Sequence, residues 1–236
     1  MKKNKKILLI SGTSKGLGKE ISNYYLKKNY IVYGCSRTKI NINSKFYNHS
    51  IIDINNEIDV RNWIEKIFKK HKKIDFLINN AALIPTSYPA ILNNKELVFN
   101  VFKTNVIAQI NLINEVGKKM IKKKYGRIIN FSSMAAGLLE EGTSLYSSSK
   151  NSVETYSKIV AKELSKANIT CNTIAPSMYN TSSFRKLGKR VIESSKKKLQ
   201  TQRELTLNEI TNVIDFLFKK ESSVITGQTI YLGLAV

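Results

Sequence analysis

The sequence has 236 residues, 42% hydrophobic and 24% charged, with a formal net charge of +22 at pH 7. That length suits one α/β domain, residues 1–236, with a substantial core, and no apolar run approaches the roughly 18 residues of a membrane span. The basic excess is mostly Lys, spread along a chain rich in Asn and Ile without an aromatic-interleaved stripe, so it reads as compositional bias and not as a nucleic-acid footprint.

The first predicted strand is Lys6–Ser11. The leading MKKNKK has the charge of a secretory leader, but Ile7–Ile10 is too short for its apolar core and runs straight into Ser-Gly. A cytoplasmic location is expected. Then follow helix Leu17–Lys28, strand Ile31–Cys35, strand Phe46–Asp53, helix Glu57–His71 and strand Ile74–Asn79. A long helix, Lys95–Lys123, precedes strand Arg127–Ser132, helix Leu145–Ser165 and strand Thr170–Ala175. Helices Phe184–Leu199 and Leu207–Lys219 and strand Gln228–Leu232 complete the order. Short β-branched strands alternating with amphipathic helices predict a doubly wound, mostly parallel seven-stranded sheet with helices on both faces. Only Thr38–Lys45 separates the second and third strands, too little for a full crossover helix. A short or vestigial helix is expected there. Cys35 and Cys171 show no pairing pattern and are expected to be reduced core residues. His49 and His71 fit no triad or ligand set, and no metal-ligand cluster is present in the sequence.

The first strand ends in SGTSKGLG, with Gly12, Gly16 and Gly18. Glycines serve where a chain turns with positive φ or must approach a phosphate closely, and the helix that follows would aim its free amides and dipole at a pyrophosphate. A strand–glycine loop–helix unit of this kind predicts a dinucleotide site. The second strand ends in Cys35-Ser36-Arg37, with no carboxylate for a ribose 2′-hydroxyl. A guanidinium suits a 2′-phosphate instead. With Lys15 beside it, Arg37 predicts NADP(H) in preference to NAD(H).

YSSSK places Tyr146 and Lys150 four residues apart on a predicted helix, hence on one face. A ketone that accepts hydride becomes an alkoxide needing a proton, which a tyrosine supplies if its pKa is drawn down from ~10. A neighbouring ammonium would stabilise the phenolate and do so. Ser133, at the end of the fifth strand, could polarise the carbonyl.

Together these motifs resemble the short-chain dehydrogenase/reductase family along essentially the whole chain, most nearly its 3-oxoacyl-(acyl-carrier-protein) reductases. SGTSKGLG is similar to the family's cofactor loop, Asn79-Asn80-Ala81-Ala82 to its NNAG motif, and Asn172-Thr173-Ile174-Ala175-Pro176 to the segment over the nicotinamide. The resemblance implies a catalytic set of Asn105, Ser133, Tyr146 and Lys150. Asn105 would kink a helix and hold a proton-relay water, and Lys150 would also hold the nicotinamide ribose. It implies cofactor contacts from Gly12, Ser14, Lys15, Gly16, Leu17, Gly18, Arg37, Asp53, Ile54, Asn80, Ala81, Tyr146, Lys150, Pro176, Tyr179 and Thr181, with Asp53 on the adenine amino group. It also implies a homotetramer or homodimer. Ala82, Ser177 and Leu234 stand where the family usually has glycine, which bears on the substrate and not on the reaction.

The expected function is therefore NADPH-dependent reduction of a ketone, with a 3-oxoacyl thioester as substrate and an acidic acyl carrier protein as a partner that a basic surface would steer. Arg127 and Lys166 are the candidate carrier contacts. A sugar or secondary metabolite is the alternative substrate, and a non-catalytic NADP-binding regulator the alternative class. Neither nucleic acid nor membrane is expected as a partner.

Overall fold

The seven expected strands all form, and they join in one sheet of order β3-β2-β1-β4-β5-β6-β7. A computed structural model of the protein describes residues 5–180 and 189–235. The elements run β1 (Ile7–Ser11), α1 (Gly16–Lys27), β2 (Ile31–Ser36), β3 (Tyr47–Ile51), α2 (Glu57–His71), β4 (Phe76–Asn79) and α3 (Lys95–Phe102). They continue with α4 (Ala108–Ile121), β5 (Gly126–Phe131), α5 (Met134–Leu138), α6 (Ser144–Leu164), β6 (Ile169–Pro176), α7 (Lys189–Lys197), α8 (Leu207–Phe218) and β7 (Thr229–Leu232). Every strand pair is parallel, so the strand C-termini, where such sheets bind ligands, all open on one edge.

Alternate residues of the buried strands face opposite sides. Ile7 and Leu9 of β1 join a core with Val60, Trp63 and Ile64 of α2 and Leu112, Val116 and Met120 of α4. Leu8 and Ile10 join the opposite core with Ile21 and Tyr25 of α1 and Ile210, Ile214 and Phe218 of α8. Cys35 and Cys171 are free and buried, as expected.

Two readings change. Residues 38–45 contain no helix; the chain there is irregular until Tyr47 N–H donates to Ser44 O at 3.1 Å. Ser44 Oγ accepts from Phe46 N at 3.3 Å, a local side-chain bond of the kind that competes with a helical turn. The long helix expected over Lys95–Lys123 is broken into α3 and α4 by a π-helical segment at Lys103–Ile107 that contains Asn105. Such segments occur often at functional sites. The start of the helix expected over Phe184–Leu199 lies outside the described residues.

Candidate active site

A cleft of about 1130 Å³ runs along the C-terminal edge of the sheet. Its floor at β1 depends on glycine. Gly12 has φ +76°, and a Cβ there would sit 2.8 Å from Ala81 Cα; one on Gly18 would sit 2.3 Å from Gly12 O. The loop and α1 therefore pack backbone against backbone, leaving the cleft floor free of side chains. Lys15, the N-cap of α1, makes no side-chain capping bond. The first amides of this twelve-residue helix are thus uncapped where an anion would lie, and Ser14, Lys15, Gly16 and Leu17 line the cleft beside them.

Ser11 shows why a hydroxyl is kept at the end of β1. Its Oγ accepts from Asn80 N and Ala81 N, each at 3.1 Å, while Asn80 Nδ2 donates to Ser11 O and Gly12 O at the same distance. Asn80 thus clamps the glycine loop to the end of β4. Arg37 and Asp53 line the same end of the cleft and are exposed. Asp53 Oδ1 accepts from Asn55 N at 3.0 Å, which fixes its turn. Among the described residues no carboxylate pairs with Arg37, and Ile54 packs buried beneath the rim. The residues fit a dinucleotide with a 2′-phosphate: glycines at the diphosphate, uncapped amides, and a guanidinium at the end of β2.

His49, which the sequence left without a role, lies behind this end. Its Nε2 is 3.0 Å from Thr38 O and 3.2 Å from Ser36 Oγ, and its Nδ1 is 3.1 Å from the Tyr47 hydroxyl. Tyr47 in turn donates to Thr13 Oγ1 at 3.0 Å, passing beneath Gly34, where a Cβ would be 2.3 Å from the tyrosine oxygen.

At the other end of the cleft stand Ser133, Tyr146 and Lys150. Ser133 leaves β5 in extended conformation and caps the five-residue α5 by accepting from Ala135 N at 3.3 Å. Its hydroxyl lies near enough to the Tyr146 phenol to favour the ionised form slightly. Lys150 Nζ lies 5.7 Å from the centroid of the Tyr146 ring and donates to Phe131 O at 2.8 Å. Burial lowers the Lys150 pKa to about 8, against the opposing charge of Glu154. Tyr146 departs from expectation. Burial pushes its pKa up to about 12, and the nearby Ser133 hydroxyl only partly opposes this. Low dielectric penalises the phenolate more than a lysine beside the ring, and not at the hydroxyl, can repay.

Asn105 does not line the cleft; it is fully buried behind it. Its Oδ1 accepts from Leu83 N at 2.7 Å, and its Nδ2 donates to Leu83 O at 2.9 Å and Ser149 Oγ at 3.1 Å. Ser149 donates to Tyr146 O at 2.7 Å, and Ser147 to Ala135 O at 2.7 Å. Two serines of YSSSK thus tie α6 to Asn105 and to α5, which the sequence pattern alone did not reveal.

Pro176 and Tyr179 line the cleft, with the Tyr179 hydroxyl on the Glu20 carboxylate. Thr181 lies outside the described residues. Ser177 lines the cleft with an unpartnered buried Oγ, and Leu234 is buried with Met178 and Leu199 beside it. Arg127 is corrected as a carrier contact: its guanidinium is 1% exposed and donates to Gly126 O and Asn168 O at 2.9 and 3.1 Å. As the second residue of a strand buried along its whole length, Arg127 has its side chain committed to the interior. Lys166 is exposed.

A family model described as enoyl-(acyl carrier protein) reductase matches residues 16–233. The chain is 32% identical to the 3-oxoacyl-[acyl-carrier-protein] reductase of Buchnera aphidicola subsp. Schizaphis graminum, over 99% of this chain and 98% of that protein. Its counterpart from Escherichia coli (strain K12) is 26% identical, covering 97% and 96%. Among solved structures, ElxO with NADP bound superposes with a TM-score of 0.90 at 26% identity, covering 96% of each chain. An actinorhodin polyketide ketoreductase variant with NADPH, 19% identical over 97% and 95% at TM-score 0.87, is alike in fold.

Proposed function

This chain belongs to the short-chain dehydrogenase/reductase family, and we propose from that premise that it uses NADPH to reduce a ketone to an alcohol, with Tyr146 as proton donor. The observation that carries this reading is the hydroxyl pair of Ser133 and Tyr146 on one cleft wall, backed by a buried lysine. When bound, NADPH supplies the hydride. Gly12 and the uncapped amides of α1 would hold its diphosphate, Arg37 and Lys15 its 2′-phosphate, and Asp53 its adenine. The ketone oxygen would meet the hydroxyl pair, with Ser133 donating a hydrogen bond to it and Tyr146 delivering the proton as negative charge develops there. The resulting phenolate is stabilised by the Lys150 ammonium. A tyrosine whose pKa is pushed up to about 12 keeps its proton until the alkoxide, a stronger base, asks for it. Asn105 holds the wall in place through Leu83 and Ser149 and gives the π-helical segment its kink.

A 3-oxoacyl thioester on an acyl carrier protein is the substrate that the named relatives favour, and the exposed Lys166 with the overall charge would steer an acidic carrier. The Ser177 side chain, which lines the cleft beside Pro176, favours a sugar or secondary-metabolite ketone as the second reading. A homotetramer or homodimer in the cytoplasm completes the proposal. Exposed Phe99, Ile107 and Ile159 on α3, the π-helical segment and α6 supply apolar surface for a partner copy. No helix among the described residues is long and apolar enough to cross a membrane.

The test is NADPH oxidation with acetoacetyl thioester, a keto sugar and crotonyl thioester, the last to separate carbonyl from enoyl reduction. Turnover of a ketone that Tyr146→Phe abolishes supports the reading. NADPH binding without turnover of any ketone would favour the regulatory alternative.

A further inference from the structure

Behind the proton-transfer end of the cleft lies a buried carboxylate without a part in the chemistry above. Glu154 lies on α6 one turn beyond Lys150, on the same helical face, and is 6% exposed. A carboxylate this deep is costly unless donors and a counter-charge hold it. Ser132 Oγ donates to Oε1 from the end of β5, and Tyr231 donates from β7 at 3.1 and 3.2 Å to the two oxygens. The remaining charge is Lys150, 2% exposed and anchored to Phe131 O, one residue before Ser132. The lysine and the carboxylate thus hang from neighbouring residues of β5 and share one helix. Among the described residues, Glu154 is the charged group whose field acts on Lys150, and it opposes the loss of the proton that burial promotes.

We propose that Glu154 is a positioning residue for the reduction: a buried counter-ion, held by Ser132 and Tyr231, that keeps Lys150 an ammonium beside Tyr146. The inference rests on the reading of Tyr146 and Lys150 as the proton-transfer pair. Burying Lys150 excludes water and aims its charge, but the same burial favours the neutral amine, which would leave the Tyr146 phenolate unsupported. A fixed anion one turn away corrects this without touching the substrate. The groups that face the pair are Tyr231 from β7, the Ser132 hydroxyl and Phe131 carbonyl from β5, and Tyr146 on α6 itself.

The experiment is the pH profile of kcat/KM for the full chain and for Glu154→Gln, which keeps shape and hydrogen-bonding capacity while removing the charge. The expected result is an alkaline limb moved to lower pH by roughly one unit, the size of effect an opposite charge a few ångströms away produces, with the KM for NADPH unchanged. Glu154→Asp should restore the limb in part. If Glu154→Gln folds poorly, Glu154→Met removes the charge without burying a new amide, and its limb should move in the same way. A limb that coincides with the wild type, with a loss confined to thermal stability, overturns the inference and leaves Glu154 a tie between β5, α6 and β7. A wild type that reduces no ketone, or a Tyr146→Phe variant that turns over normally, breaks the underlying reading, and the inference falls with it.

Discussion

At the adenosine end of the cleft Lys15, Arg37 and Asp53 stand exposed, whereas at the proton-transfer end Lys150 and Asn105 are 2% and 0% exposed and tied to neighbouring backbone. The first end reads its ligand by charge in a high dielectric, where each contact is modest and screened by salt. The second excludes water, so each charge has a large effect and each polar atom needs a partner. Substitutions should accordingly change affinity and cofactor preference at the open end, and rate and pH dependence at the closed one.

The largest expected effect tests the closed end. Tyr146→Phe should lower kcat by about 1000-fold, within the range for a lost general acid, while fluorescence titration finds NADPH binding retained. Equal losses in both would break the comparison. Arg37→Ala should raise the KM for NADPH roughly 10- to 100-fold, the worth of a charge-assisted hydrogen bond, with kcat and the KM for NADH little changed. Added salt should shrink that difference. In the wild type, kcat/KM, which reports the free enzyme, should fall as pH rises through about 8. The sign follows from Lys150: its ammonium, the form that supports the phenolate, is depleted above the pKa that burial has lowered. Tyr146 stays protonated over the same range. Ser149→Ala should have the smallest effect: it cuts the Asn105–α6 tie and should cost about 1 kcal/mol in thermal unfolding, with a kcat loss of only a few-fold.

The open end was the more legible of the two. Glycine spacing, the missing carboxylate after β2 and the presence of Arg37 all lie within local stretches, so their chemistry can be read from neighbours in the chain. At the closed end the sequence pointed to Ser133, Tyr146 and Lys150, but not to how they are held. Asn105 meets Leu83 and Ser149 across 22 and 44 residues, and Ser132 meets Glu154 across 22. Arg127 was misread for the same reason: a basic residue opening a strand resembles a surface cation until Asn168 arrives from the next strand's approach. The helix expected between β2 and β3 failed locally, where Ser44 Oγ accepts from the backbone of Phe46 instead.

By itself the sequence determined the alternation of strands and helices, the parallel sheet, the glycine floor and the placing of Tyr146 and Lys150 on one helical face, since periodicity, glycine conformation and i, i+4 spacing are properties of short segments. Only the tertiary structure decided the π-helical form of the break at Asn105, the raised pKa of Tyr146 and the burial of Lys150. These depend on dielectric and on partners brought together from distant strands, and no short stretch of chain encodes either.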